Sequence, residues 1–150
     1  VYDGRNAAAA AIAAHETGHA VQHATAYSML QLRTALVPLQ NASAKIINFI
    51  VIASIFGGAV LFRAFPINTM LYLIIGTYAV MTLFTFVTLP VEFDASRRAL
   101  VWIKNQGVTS SEEYARSKDA LTWAALTYVV AALGSLATLL YYVSMLNRRN

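Results

Sequence analysis

Three runs without a charged residue, 46–62, 67–89 and 121–146, constrain this chain more than anything else in it. The shortest is seventeen residues, which as helix rises roughly 25 Å, close to the hydrocarbon thickness of a bilayer. Lys45 and Arg63 bracket it, and Arg63-Ala64-Phe65-Pro66 reads as a short turn into the second run, because proline cannot continue the first helix. Together the two runs read as a transmembrane hairpin. The third has Trp123 near one end, Tyr141 and Tyr142 near the other, and Arg148 and Arg149 beyond, a pattern of interfacial anchors. Helices buried in a large soluble core are the alternative. Three such runs in 150 residues, with 58% of the chain hydrophobic and 12% charged, favour the membrane.

A hairpin returns the chain to the side it left, so residues before 46 and just after 89 share a compartment and can meet. Eight of the eleven Lys and Arg residues lie on that side, and only Arg63, Arg148 and Arg149 on the other. Positive-inside topology makes the richer side cytoplasmic. It also accounts for the net charge of +4 without nucleic acid, since no dense basic run interleaved with aromatics is present. There are no cysteines, which excludes disulfides and thiolate ligands and leaves three histidines and seven acids to hold any metal. A chain that opens on Val1 without a signal peptide is expected to be part of a longer product.

The first polar region carries the chemistry. Asn6 can cap a helix that starts in the alanine-rich stretch 7–14 and is expected over 7–31. On it stands His15-Glu16-Thr17-Gly18-His19, an H-E-x-x-H pattern. Histidines four apart share one helix face, so their imidazoles can converge on one ion. Glu16, displaced by one residue, can reach a water at the metal, take its proton during attack on a peptide carbonyl, and return it to the leaving amine. Gly18, costing about 1 kcal/mol inside a helix, implies a packing reason. Hydrogen-bonded structural histidines beside a solvated glutamate are the bland alternative, and the zinc reading outweighs it.

A catalytic zinc takes a third protein ligand and keeps a fourth position for water. His23 lies about 12 Å along the axis from His15, too far to share the ion, and is read as supporting the site or facing substrate. The other candidates lie in 89–98, where Pro90 suits the start of a new helix with Glu92 in its first turn. Glu92 and Asp94 point to different sides of that helix, so one of them is expected to bind. Carboxylates favoured by the helix dipole are the alternative for this pair. Arg97, Arg98 and His23 are the candidates for stabilising an oxyanion.

The run His15-Glu16-Thr17-Gly18-His19-Ala20-Val21-Gln22-His23, followed after the hairpin by Pro90-Val91-Glu92-Phe93-Asp94-Ala95-Ser96, resembles the YugP-like neutral zinc metallopeptidases of bacteria. It is also similar, more distantly, to the HtpX and CAAX prenyl proteases, where a hairpin likewise separates H-E-x-x-H from a glutamate on a later helix. The resemblance implies Glu92 as the third zinc ligand beside His15 and His19. In those relatives an aspartate four residues after the glutamate supports the site; Ser96 stands there in this chain, and Asp94 only two residues on. The resemblance further implies a membrane anchor and a short polar region ahead of Val1. Such peptidases grip substrate along an edge strand, and this sequence shows none.

Elsewhere, 24–44 reads as a continuing amphipathic helix and connector, with Arg33 touching the site or anchoring at headgroups. The stretch 93–103 reads as a helix along the membrane surface, and 107–113 as a loop into a helix capped by Thr109, Ser110 or Ser111. A di-iron site needs a second Glu-x-x-His pair and a b-type haem a histidine on each of two helices; the three histidines here fall within nine residues. The expectation is an all-α membrane protein of about three transmembrane helices, with an active-site helix and a second ligand-bearing helix on one membrane side. The expected activity is zinc-dependent endopeptidase action on protein or peptide substrates, in a bacterial cell membrane with the site cytoplasmic. The rival is an inactive membrane scaffold or metal-binding protein that keeps the motif. Oligomeric state is not legible.

Overall fold

The computed structural model describes residues 6–149, and among them four helices and no strand: α1, Ala7–Ala24; α2, Ser28–Ala64; α3, Ile67–Gln106; and α4, Ser111–Asn147. The protein is an all-α membrane protein, and α2, α3 and α4 each contain a stretch long and apolar enough to cross a bilayer.

Asn6 caps α1 as its residue type suggests, its extended backbone turning the side-chain oxygen to accept from the Ala9 amide at 2.8 Å. The helix expected over 7–31 stops at Ala24. Ala26 takes a left-handed φ of 50°, and the amides of Tyr27 and Ala26 donate to the carbonyls of Gln22 and His23. That is a Schellman ending, reached without the glycine that normally announces one. The connector expected before the first span is absent, for α2 begins at Ser28 and runs through Pro38 as one helix, departing from helical geometry only at Gly57.

Pro90, expected to start a helix, lies instead inside α3. Its missing N–H removes one bond from a 40-residue helix, and the packing of Val87, Val91 and Ala95 around it holds the helix through the gap. Glu92 is therefore mid-helix, the dipole explanation of its position fails, and 93–103 is a continuation of α3 rather than a separate surface helix. The next helix is capped by Ser110, whose hydroxyl meets the Glu113 amide while the Glu113 carboxylate accepts from the Ser110 amide at 2.9 Å, a reciprocal capping box.

One compact unit joins the chain up to Thr34 with Val87–Val130. In its core α1 buries Ala11, Ala14, Gly18 and Gln22, spaced three or four apart, and α3 buries Val91, Ala95, Ala99 and Ile103, spaced by four. Gln22 meets Val91, Gly18 meets Ala95, and Ala11 and Ala14 cluster with Ala99, Ile103 and Leu121. The order shows that α1 and α3 run antiparallel. Fully buried Ser117 fastens α4 to the same unit by donating to the Ala7 carbonyl. The other unit joins Ala35–Phe86 with the chain from Ala131 onward. Within it Thr85 and Ser135 hydroxyls meet at 3.0 Å and Tyr78 stacks on Tyr142, while Phe49, Ile55, Phe56 and Val60 stay exposed, as lipid-facing side chains do.

Candidate metal centre

The antiparallel register that sets Gly18 against Ala95 also fixes where the chemistry falls. His15 and His19 occupy the stripe of α1 next to the buried one, and the small residues let α3 approach until Glu92 stands against both rings. The Nε2 atoms of His15 and His19 lie 3.3 and 3.6 Å from Glu92 Oε2. One donor atom from each of the three residues falls within 4.8 Å of the others. Donors about 2.1 Å from one tetrahedral ion stand roughly 3.4 Å apart, so this spacing suits a metal of zinc's size. Glu92 is 2% exposed, and its Oε2 is buried and accepts no hydrogen bond. A buried carboxylate oxygen left so is costly unless something else meets it, and two imidazoles and an acid with no thiolate form a donor set that zinc accepts.

The surroundings keep that carboxylate ionised. Burial pushes Glu92 up, but the contact with His15 and the electrostatic influence of His19 and of the Arg33 guanidinium outweigh it and hold the group below the usual glutamate value. Arg33 on α2, half-buried, lies 3.6 Å from the other oxygen, Oε1. Of its two expected roles, the site contact is the one observed.

Glu92 and Asp94 do diverge. Asp94 turns away from the histidines to accept from Gln22, Arg97 and Arg98, and these bonds overcome its burial and hold it down at about 2. Of the oxyanion candidates, Arg97 is 75% exposed and, like Arg98, paired with Asp94, and His23 is exposed near the end of α1. Ser96, in the place of the relatives' aspartate, sets its hydroxyl 3.2 Å from His15 Nδ1. Glu16 is exposed on the histidine side and opens on a pocket of about 190 Å³ shared with Ile12, His15, Glu92, Leu121 and Tyr128.

Sequence reasoning missed two of these residues. Gln22 was detectable as the one polar residue on the buried stripe Ala11, Ala14, Gly18, Gln22, three positions after His19. Tyr128 carried no signal, because an apolar span gives no indication of which of its faces turns to a polar site.

Fold and site together define a membrane protein in which the two histidines of an H-E-x-x-H helix meet a buried glutamate from another helix. The chain belongs to the family described as "Putative neutral zinc metallopeptidase", whose pattern it matches over residues 1–147. It is 36% identical over 151 residues to the "Putative membrane protease YugP" of Bacillus subtilis (strain 168), an alignment that takes in 100% of this chain and 64% of that protein. The chain thus spans somewhat less than two thirds of that relative's length. No solved structure matches it.

Proposed function

We propose that this chain is the catalytic part of a zinc-dependent membrane endopeptidase, with His15, His19 and Glu92 as the metal ligands and Glu16 as general base and acid. The observation that carries the reading is the convergence of the two motif histidines on a buried glutamate oxygen that has no hydrogen bond of its own. A zinc ion held there supplies Lewis-acid polarisation of the scissile carbonyl and acidifies the attacking water. Glu16 accepts the proton of that water as its oxygen bonds to the carbonyl carbon, and returns it to the amine nitrogen as the peptide C–N bond breaks. Exposure suits this role, because the carboxylate must reach substrate rather than the ion. Tyr128 lines the pocket with His15, Glu16 and Glu92, and its hydroxyl is the donor we assign to the developing oxyanion, in place of Arg97, Arg98 and His23. Substrates on this reading are membrane-associated or misfolded proteins met on the cytoplasmic face of a bacterial membrane, the side that the excess of Lys and Arg favours.

The test is zinc content per chain in detergent-purified full-length protein, measured with casein cleavage for wild type, Glu16→Gln and Glu92→Ala. The expected result is one equivalent of zinc in wild type and Glu16→Gln, less in Glu92→Ala, and cleavage by wild type alone. A wild type that binds no zinc and cannot be loaded with it refutes the peptidase reading and leaves a membrane scaffold.

A further inference from the structure

Gln22 is completely buried, a polar side chain on a stripe otherwise built of alanine and glycine. Its amide makes three hydrogen bonds. Nε2 lies 2.8 Å from the Val91 carbonyl oxygen and 3.0 Å from Asp94 Oδ2, while Oε1 lies 2.9 Å from His19 Nδ1. The two partners on α3 decide which end of the amide is which. A backbone carbonyl can only accept, and so can the Asp94 carboxylate, which Arg97 and Arg98 hold ionised. The end that faces them must be the NH2 group, so the amide oxygen faces His19 and requires a donor there. That donor is Nδ1–H. With the proton on Nδ1 the lone pair of the ring is on Nε2, the nitrogen that stands 3.6 Å from Glu92 Oε2.

His15 is held differently. Its Nδ1 meets the Ser96 hydroxyl, which donates or accepts equally well, so nothing in that contact dictates a tautomer. The two histidines of the motif are thus not equivalent: one is set by its protein neighbours, the other is free to follow what it binds.

We propose that Gln22 is a positioning residue of the metal centre, fixing His19 as the Nδ1–H tautomer with Nε2 directed at zinc and tying that ring to the helix that supplies Glu92. This rests on the zinc reading above. The bonds form one chain, Arg97 and Arg98 to Asp94, Asp94 to the Gln22 NH2, and the Gln22 carbonyl to His19. Each link polarises the next, so the negative charge of Asp94 reaches His19 through the amide and strengthens its Nε2 as a ligand. An aspartate at position 96 would bring charge to the histidines directly; here Asp94 does so at one remove.

Zinc affinity, by chelator competition, and thermal unfolding of the metal-free protein are to be measured on full-length wild type, Gln22→Met, and Gln22→Glu combined with Asp94→Asn. Gln22→Met keeps the bulk and loses every bond, and is expected to bind zinc about 10- to 100-fold more weakly. The double variant keeps an acceptor toward His19 while sacrificing bonds to α3. It is expected to stay within about threefold of wild type in affinity although its metal-free form unfolds at lower temperature. In zinc-loaded protein with nitrogen-15 histidine, the Nδ1 proton of His19 should be resolved and slow to exchange in wild type and lose that protection in Gln22→Met, with the His15 signal unchanged. Wild-type affinity and a protected His19 proton in Gln22→Met would overturn the proposal, as would equal losses of affinity in both variants that simply track thermal stability. A wild type that takes up no zinc removes the peptidase reading and this proposal with it, whereas zinc uptake insensitive to Gln22 removes the proposal alone.

Discussion

Gly18→Ala adds one methyl group at the point where α1 and α3 come closest, and the structure gives the size of the insult. The new Cβ would sit 2.6 Å from the Ala95 carbonyl oxygen and 3.2 Å from its C and Cα. These are backbone atoms of a buried helix, so no rotamer change can make room. Reaching ordinary contact requires a separation of about 0.8 Å between the helices, in a core whose close packing yields little. Alanine is the better helix former by about 1 kcal/mol, but overpacking of this kind costs roughly 1–3 kcal/mol, and rigid neighbours push it to the upper end. A net loss of about 1–2 kcal/mol is expected, roughly 5 °C in Tm for a chain this size. The larger effect is on the metal centre, for His15 and His19 ride on α1 and Glu92 on α3. Metal–ligand distances tolerate only about 0.2 Å, so a shift several times larger should weaken zinc binding about tenfold or more. Chelator competition and thermal unfolding in detergent measure both quantities. Gly76→Ala and Gly134→Ala, where an added Cβ meets nothing within 4 Å, serve as controls and should keep wild-type zinc affinity with a Tm equal to or slightly above wild type. If Gly18→Ala keeps wild-type Tm and zinc affinity, the close approach does not position the ligands and the reasoning fails.

Three further outcomes are expected. Ala26→Gly relieves the left-handed residue between α1 and α2 and should stabilise the protein by about 0.5–1 kcal/mol, seen as a raised Tm. The Glu113 carboxylate is held below its ordinary value of 4.5 by the Ser110 amide and hydroxyl, so its contribution is complete above that pH and is lost as pH falls through the lowered value. Amide exchange at Ser110 and at the start of α4 should accelerate over that acid range in wild type and be insensitive to it in Glu113→Gln. Tyr128→Phe should lower kcat on the order of 100-fold with zinc content and KM nearly unchanged, and an unaltered kcat would remove the hydroxyl from the mechanism.

The spans were legible because absence of charge over seventeen or more residues is a signal no local detail can cancel. So was the motif helix, since Asn6, an alanine run and histidines one turn apart all speak for the same face. What could not be read is instructive. The end of α1 was hidden because Ala26 adopts a conformation that its side chain disfavours, in a turn closed by the Gln22 and His23 carbonyls. Pro90 was misread as a helix start because its fit to a first turn is a local preference, whereas Val91 and Ala95 beside it are buried against α1 in a continuous α3. Glu92 as the acid that meets the histidines, rather than Asp94, could be expected from family resemblance, but only the register of α1 against α3 explains it, through Gly18 facing Ala95 and Gln22 facing Val91. Tyr128 depends on the rotation of α4, which an apolar run leaves undetermined.

The two oxygens of Glu92 are already divided before any ion is considered. Oε1 lies toward Arg33, and Oε2 toward His15 and His19 with no hydrogen bond of its own. A carboxylate so shared is disposed to offer one oxygen to a metal, because offering both would draw Oε1 from the guanidinium and leave that half-buried charge with a weaker partner. On the proposed zinc reading, one oxygen and two imidazole nitrogens would supply three ligands and would leave room for the water that hydrolysis requires. Beside a bound dication the charge of Arg33 alone would repel. Its 3.6 Å pairing with Oε1 offsets that repulsion, and on the proposed reading the guanidinium would help hold Glu92 in the one-oxygen pose.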